Sequence, residues 1–345
     1  MRTLVVRLDN AGDVLLAGPA IRAVATGSDR VTVLAGPNGA AAARLLPCVD
    51  EVLEWRCPWI DPTPDAVTRR EVEDLVDLLA GHRFDRALVF VSFHQSPLPT
   101  ALVLRMAGVP WVGAVSVDYP GSLLDLRHQV DEDLPEAERA LSLALAAGFS
   151  LPDGDDGGLL VRRPLPDVSH LLPEGPFVVL HPGTSVPARA WPVERFAQAA
   201  ALLTERSHRV VVTGAPSEKD LTAAVTGAAP ATDLGGRTTF EELAAVLDTA
   251  EVVVVGNTGP AHLASAVRTP VVSLFAPTVP AVRWAPYKVP SVLLGDQLAV
   301  CRGTRVTRCP FEGHPCLRSV GPEDVLSAVE QLSGRPHAMH IGSRA

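Results

Sequence analysis

Short apolar runs alternate along the chain with stretches whose apolar positions recur at helical spacing, the signature of parallel βα units. In the first half the pattern predicts strands over 3–8, 30–36, 51–55, 86–91 and 111–115. Helices are predicted over 14–25, 39–46, 65–80, 99–107 and 135–147. The texture changes at 151–176, which is rich in Gly, Pro and Asp and contains the run Asp153-Gly154-Asp155-Asp156-Gly157-Gly158. That composition sustains neither helix nor sheet and predicts a linker. A second alternating series follows, with strands over 177–181, 209–214, 251–256, 270–275 and 291–294. Its helices are predicted over 193–205, 217–225, 239–249 and 260–266, with a last one over 322–331. The chain therefore reads as α/β. A Rossmann-like domain (1–150), the linker (151–176) and a second Rossmann-like domain (177–333) precede a disordered tail (334–345). Ligands of open α/β sheets bind beyond the carboxyl ends of the strands. Two such domains facing each other across a cleft can hold two substrates.

Composition narrows the function. Of 345 residues, 47% are apolar and 20% charged, enough for two real cores and against disorder as the main state. A net charge of -9 disfavours non-specific binding to nucleic acid or anionic membranes. No apolar run is long enough to span a bilayer, and the first residues read as a strand, not a signal peptide. That leaves only peripheral membrane contact open. Five cysteines in a long chain argue for a reducing cytoplasm over a disulfide scaffold. Only Lys219 and Lys288 are lysines, so arginine carries nearly all positive charge. With abundant Ala, Gly, Pro and Val, this suggests a GC-rich genome. No G-x-G-x-x-G follows the first strand and no Walker A sequence occurs, so hydride transfer and P-loop chemistry lose ground.

Four segments can carry chemistry. Asn10-Ala11-Gly12-Asp13-Val14 follows the first strand; Gly12 permits a close backbone approach, and Asp13 reads equally as a base for a hydroxyl or as an ordinary N-cap. Gly256-Asn257-Thr258-Gly259-Pro260-Ala261-His262 joins a buried strand to a helix. Its free N–H groups and the helix dipole suit a diphosphate, with His262 one turn in as a further donor; the plainer reading is a well-capped junction. His181-Pro182-Gly183-Thr184-Ser185, running to Arg189, offers two hydroxyls and a cation for phosphate oxygens, or is a solvated loop. Cys301, Cys309, His314 and Cys316 match no standard zinc spacing, and a packed loop with free or paired thiols is the reading preferred to a metal site. His94, His128, His170 and His208 occur singly and read as surface or core residues, and the acids of 71–77 as a solvated helix face.

Taken in order, these motifs resemble the ADP-heptose–lipopolysaccharide heptosyltransferases of glycosyltransferase family 9. The matching pieces begin with Gly12-Asp13-Val14-Leu15-Leu16, Pro19 and Ile21-Arg22-Ala23, and continue through His181-Pro182-Gly183 and Arg189-Ala190-Trp191-Pro192. Thr213-Gly214-Ala215-Pro216 to Glu218, Leu234-Gly235-Gly236-Arg237-Thr238 and Asn257-Thr258-Gly259-Pro260-Ala261-His262-Leu263 follow. Phe275-Ala276-Pro277-Thr278 and the Cys-Pro-x-x-Gly-His-x-Cys run at 309–316 complete the set, which covers nearly the whole chain. The resemblance implies a GT-B fold whose C-terminal half binds the nucleotide-sugar donor and whose N-terminal half binds the acceptor. It further implies inverting transfer with no metal or other cofactor, and a donor that is ADP-heptose or a related nucleotide sugar. The acceptor is then a glycan, a glycolipid or a natural product. Asp13 matches the family's general base. Arg189 replaces a family lysine, Thr184 and Ser185 match hydroxyls near the phosphates, Thr258 and Gly259 match backbone donors, and Glu218 matches a donor-binding acid more loosely. Asn257 stands where many members carry Asp, and Ala276-Pro277-Thr278-Val279-Pro280 lacks an acid of the family pattern.

Two other readings compete. Another GT-B enzyme, such as a sugar-nucleotide epimerase, needs no acceptor site and usually surrounds the sugar with more carboxylates and histidines. A nucleotide-sugar-binding protein without catalysis would show neither donor hydrolysis nor transfer.

Overall fold

The computed structural model describes residues 1–61, 63–130 and 133–334; the expected tail from Arg335 onward lies outside these. The chain divides into two compact units, Met1–Pro164 and Leu165–Ala345.

In unit 1 the strands are β1 (Arg2–Arg7), β2 (Arg30–Ala35), β3 (Glu51–Glu54), β4 (Arg86–Val89), β5 (Val112–Val115) and β6 (Leu126–His128). They form one sheet in the order β3-β2-β1-β4-β5-β6, every pair parallel. The helices are α1 (Ala11–Leu16), α2 (Gly18–Thr26), α3 (Pro37–Leu45), α4 (Arg69–His82), α5 (Leu98–Met106) and α6 (Glu136–Ala146). Where one helix was expected over 14–25 there are two. Pro19 has no N–H to give and its ring opposes the preceding turn, so Ala17 ends α1 and caps α2. Helix α4 starts four residues later than expected, because the Thr68 side chain accepts the Glu71 N–H and fixes the N-cap.

The boundary falls inside the segment expected as linker. The Asp/Gly-rich run is tied to unit 1. The buried Arg22 on α2 donates to both carboxylate oxygens of Asp155 at 2.6 and 2.8 Å and to the Gly158 carbonyl at 2.8 Å. Hydrogen bonding to Arg22 also holds the Asp155 carboxyl below its usual range. Leu159 and Val161 are buried beyond it.

Unit 2 holds β7 (Phe177–His181), β8 (Arg209–Gly214), β9 (Thr232–Gly235), β10 (Val252–Gly256), β11 (Val271–Leu274) and β12 (Ser291–Leu294). Its all-parallel sheet runs β12-β11-β10-β7-β8-β9. The helices are α7 (Val193–Glu205), α8 (Lys219–Thr226), α9 (Phe240–Thr249), α10 (Gly259–Ala266), α11 (Ala281–Trp284), α12 (Pro315–Arg318) and α13 (Pro322–Ser333). Each sheet has six strands where five were expected. The two additions, β6 and β9, are edge strands of three and four residues with too few apolar positions to show a strand pattern.

Each sheet packs its helices over buried apolar residues. In unit 1 Leu4, Val6, Val89 and Ala114 of the sheet pack with Leu75, Leu79 and Leu104 of the helices. In unit 2 Val178, Leu180, Val252, Val254 and Val272 pack with Phe196, Leu203, Leu317 and Val325. The strand order reverses between β1 and β4 in unit 1 and between β7 and β10 in unit 2. The loops that leave these strands diverge to opposite sides and leave a crevice at the carboxyl edge, where ligands of such sheets bind.

Candidate functional site

In unit 1 the crevice lies between the loops after β1 and β4. Asn10 is the N-cap of α1, exposed and without a side-chain capping bond, and Gly12 is buried in the first turn. Asp13 is the third helical residue, an acid in the first turn that does not cap the helix. Its Oδ1 accepts from Arg7 Nη2 at 3.0 Å, and the side chain stays 21% exposed. Arg7, at the end of β1, is buried and also donates from Nη2 to Ser92 Oγ at 2.9 Å. Its Nε pairs with Asp9 Oδ2 at 3.0 Å. Neighbouring acids hold the Arg7 guanidinium above its usual value in spite of burial, the larger and opposing effect. Two glycines of the neighbouring β2–α3 connection let it press on this loop. A Cβ at Gly36 would sit on the Leu8 carbonyl oxygen, and one at Gly39 would lie 2.8 Å from the Asp9 carbonyl oxygen.

Arg7, Asp9, Ser92 and Gln95 were not anticipated. A signal was present for two of them: in Thr-Leu-Val-Val-Arg-Leu-Asp, charges interrupt an otherwise apolar strand at its carboxyl end.

In unit 2 the crevice lies between the loops after β7 and β10. A 3-10 turn, Pro187–Arg189, brings Arg189 to it, where Nη1 donates to the Asn257 carbonyl at 3.5 Å. Thr258 is the N-cap of α10, with Gly259 and Pro260 as the first helical residues. The Thr258 hydroxyl makes no capping bond; its Oγ1 and the Nδ1 of His262 are buried with no hydrogen-bond partner among the described residues. One turn apart, they lie on one face of the helix start, beside the Gly259 amide; contrary to expectation the Thr258 N–H is taken by the Gly256 carbonyl at 2.9 Å, the Ala261 N–H by the Thr258 carbonyl at 3.1 Å, and Pro260 has none. Buried donors and acceptors without partners are costly, and a bound anion would satisfy them. Burial first, and Arg189 second, push His262 down to about 4, so its imidazole is neutral.

The other expected residues are placed differently. Thr184 Oγ1 accepts from the Val186 N–H at 3.3 Å, a local turn, and Ser185 is exposed on the same loop. The Glu218 carboxylate accepts the Ala215 N–H at 2.7 Å and fills the space where a Gly183 side chain would stand. It faces His181, which lies 2.9 Å (Nδ1) from Thr213 Oγ1 and which burial pushes down to about 4. The Asn257 amide braces the loop after β11, donating to the Ala276 carbonyl and accepting its N–H, both at 3.4 Å. A carboxylate could not do both. The backbone after Cys301 supports the loops after β7 and β11. Arg305 donates its N–H to the Thr278 carbonyl at 2.9 Å, the Ala188 N–H reaches the Thr307 carbonyl at 3.0 Å, and His314 Nε2 lies 3.0 Å from the Ala188 carbonyl. The five cysteines are free thiols, and burial is the main cause that pushes Cys316 up to about 12. Among the described residues no group of three or more His, Cys, Asp or Glu is placed to hold a metal, and no helix is long and apolar enough to cross a membrane.

Comparison with known proteins agrees with this arrangement. The chain is 35% identical over 165 residues to lipopolysaccharide heptosyltransferase 3 of Escherichia coli K12, 45% of this chain and 46% of that one. It thus spans about half the length of the curated relatives it matches first. A glycosyl transferase family 9 structure from Veillonella parvula superposes with a TM-score of 0.77 at 18% identity, over 97% of both chains. Escherichia coli heptosyltransferase WaaC with ADP gives 0.69 at 19% identity, over 97% of this chain and 99% of that one. The shared fold is GT-B. Residues 74–313 match the family model described as glycosyltransferase family 9 (heptosyltransferase), well over half of the sequence, and the chain therefore belongs to that family.

Proposed function

We propose that this protein is an inverting glycosyltransferase that moves a heptose from ADP-heptose to a hydroxyl of a glycan or glycolipid acceptor, in the cytoplasm. The observation that carries the reading is the pairing of chemistries at two switch points of one family 9 chain. One crevice presents a partly exposed carboxylate, and the other presents a guanidinium, the Gly259 amide at a helix start and two buried polar atoms with no partner among the described residues.

In this reading Asp13 takes the acceptor hydroxyl proton as that oxygen bonds to the anomeric carbon. The bond from the anomeric carbon to the diphosphate breaks on the opposite face. The electron pair leaves with ADP, and negative charge grows on the diphosphate. Arg189 and the Gly259 amide stabilise that charge, with Thr258 Oγ1 and the neutral His262 completing the cradle. These groups supply the positive field themselves, so the reaction needs no metal.

Calorimetry with ADP, GDP and UDP tests the donor half, and transfer by Asp13→Asn tests the acceptor half. The expected result is selective ADP binding in both forms and transfer lost in the variant. Wild-type transfer by Asp13→Asn overturns the base assignment; preference for another diphosphate overturns the donor. Retained activity in excess chelator is expected, and a zinc-reversible loss would reject the metal-free mechanism.

A further inference from the structure

The carboxyl edge of β1 gathers more charge than one base requires. Arg7 is shared by two carboxylates at 3.0 Å: Nη2 donates a hydrogen bond to Asp13, and Nε stands as an ion pair beside Asp9 without hydrogen-bond geometry. Asp9 is the more enclosed, its side chain 10% exposed against 21% for Asp13. It is also held from behind: Gln95 Nε2 donates to Asp9 Oδ1 at 2.5 Å, and Gln95 Oε1 accepts the Ser92 N–H at 2.9 Å. Ser92 Oγ in turn accepts from Arg7 Nη2, so the ring of contacts closes through the loop after β4.

The charged and titratable groups facing Asp9 are Arg7 from β1, Asp13 from α1, His94 from the loop after β4 and Cys57 from the segment after β3. Glu136 of α6 faces Arg7 and pairs with Arg139 at 3.7 Å. Burial chiefly, with the Asp13 charge, raises the Asp9 carboxyl above its usual range, while Arg7, Gln95 and His94 oppose the rise.

This arrangement meets a difficulty in the function proposed above. A carboxylate held by one unshared guanidinium is a poor proton acceptor, because the cation favours its anionic form. A second anion beside the same guanidinium offsets that effect. We propose that Asp9 is a positioning residue for Asp13: its ion pair with Arg7, held in place by Gln95, offsets the guanidinium charge that Asp13 feels. The inference rests on the reading of Asp13 as the base.

Asp9→Asn tests it, in the full chain, with ADP release from ADP-heptose as the assay. The acid limb of the turnover profile should move about one pH unit lower, the scale of one removed charge at this range. Plateau kcat should fall roughly three- to tenfold as the base weakens, with ADP affinity unchanged. A donor-independent reading is the pH at which carbodiimide coupling to Asp13, followed by peptide mass, falls off; it should move in the same direction. Gln95→Met removes the hydrogen bond that favours ionised Asp9 and should shift both profiles the same way by less, and it decides the matter if Asp9→Asn does not fold. Unshifted profiles in the folded variant overturn the positioning role. Asp13→Asn distinguishes this from failure of the parent reading: if that variant turns over normally, Asp13 is not the base, whatever Asp9 does.

Discussion

The two histidines beneath the candidate donor crevice make unit 2 sensitive to acid by a calculable amount. His262 is 5% exposed and His181 6%, and burial holds both near a midpoint of about 4, against 6.5 for an ordinary histidine. The unfolded chain takes up a proton at each near pH 6.5 that the folded chain refuses until about pH 4. Stability therefore rises with pH across that window and is lost as pH falls through it. At pH 5 an unfolded midpoint of 6.5 and a folded one of 4 for His262 correspond to about 2 kcal/mol of lost stability relative to pH 7. His181 adds a loss of the same sign and similar size, the facing Glu218 working against it. Native-state hydrogen exchange of the β7 and α10 amides at pH 7 and pH 5, corrected for intrinsic exchange, measures this directly. The opening free energy of unit 2 should fall by roughly 4 kcal/mol in total. His262→Gln cannot titrate and should remove about half of the loss. In unit 1 the raised Asp9 favours the fold as pH falls, whereas His128, lowered by burial, works the other way, so the response of unit 1 should be smaller than that of unit 2. An opening free energy for β7 and α10 that is equal at the two pH values refutes the reasoning.

Two other substitutions probe the crevices. Gly36→Ala places a methyl group on the Leu8 carbonyl oxygen, a backbone atom that no rotamer change can clear, so the β2–α3 turn must move away from the loop that carries Asp9. Turnover should fall more than tenfold with ADP affinity retained, and thermal melting should drop, at a cost of about 1–3 kcal/mol for overpacking. Arg189→Ala should weaken ADP binding about tenfold to a hundredfold, as loss of one charge-assisted contact does, and calorimetry at pH 7.5 reads it. The same variant removes a cation that disfavours protonated His262, so the His262 ring should titrate at a higher pH by NMR.

How much of this was visible in the residues follows from where their partners lie. Strands such as Phe177–His181 and Val252–Gly256 are buried on both faces and read as continuous apolar runs, so both sheets were legible. The edge strands β6 and β9 were not, since they are three and four residues long and β6 has no buried position to make an apolar run. The break between α1 and α2 was readable in principle from Gly18-Pro19, but a continuous apolar period across it hid the change. Within the site, the glycine-marked junctions at Gly12 and Gly259 are local features and were seen. Arg7 with Ser92, Asp9 with Gln95 and Arg189 with Asn257 are contacts across 85, 86 and 68 residues. They exist only because the first and fourth strands of each unit are neighbours, a fact of topology that no local pattern carries.

That common topology explains how one backbone plan serves two opposite tasks. In both units the crevice is framed by the loops after the first and fourth strands, and in both an arginine spans it, Arg7 to Ser92 and Arg189 to Asn257. The difference lies in what surrounds the arginine. Around Arg7 stand Asp9, Asp13 and Glu136, so its charge is more than balanced and the crevice attracts protons. Around Arg189 stand a histidine kept neutral, a helix N-terminus and hydroxyl and imidazole atoms with no partner, so the crevice attracts anions. Exchanging these surroundings, not the arginines, should exchange the preferences. Placing a carboxylate at His262 would balance Arg189 within the buried crevice and should abolish diphosphate binding more completely than removing Arg189 itself. Removing Arg189 leaves the Gly259 amide and the Thr258 hydroxyl available, whereas an added buried anion opposes the ligand at every contact.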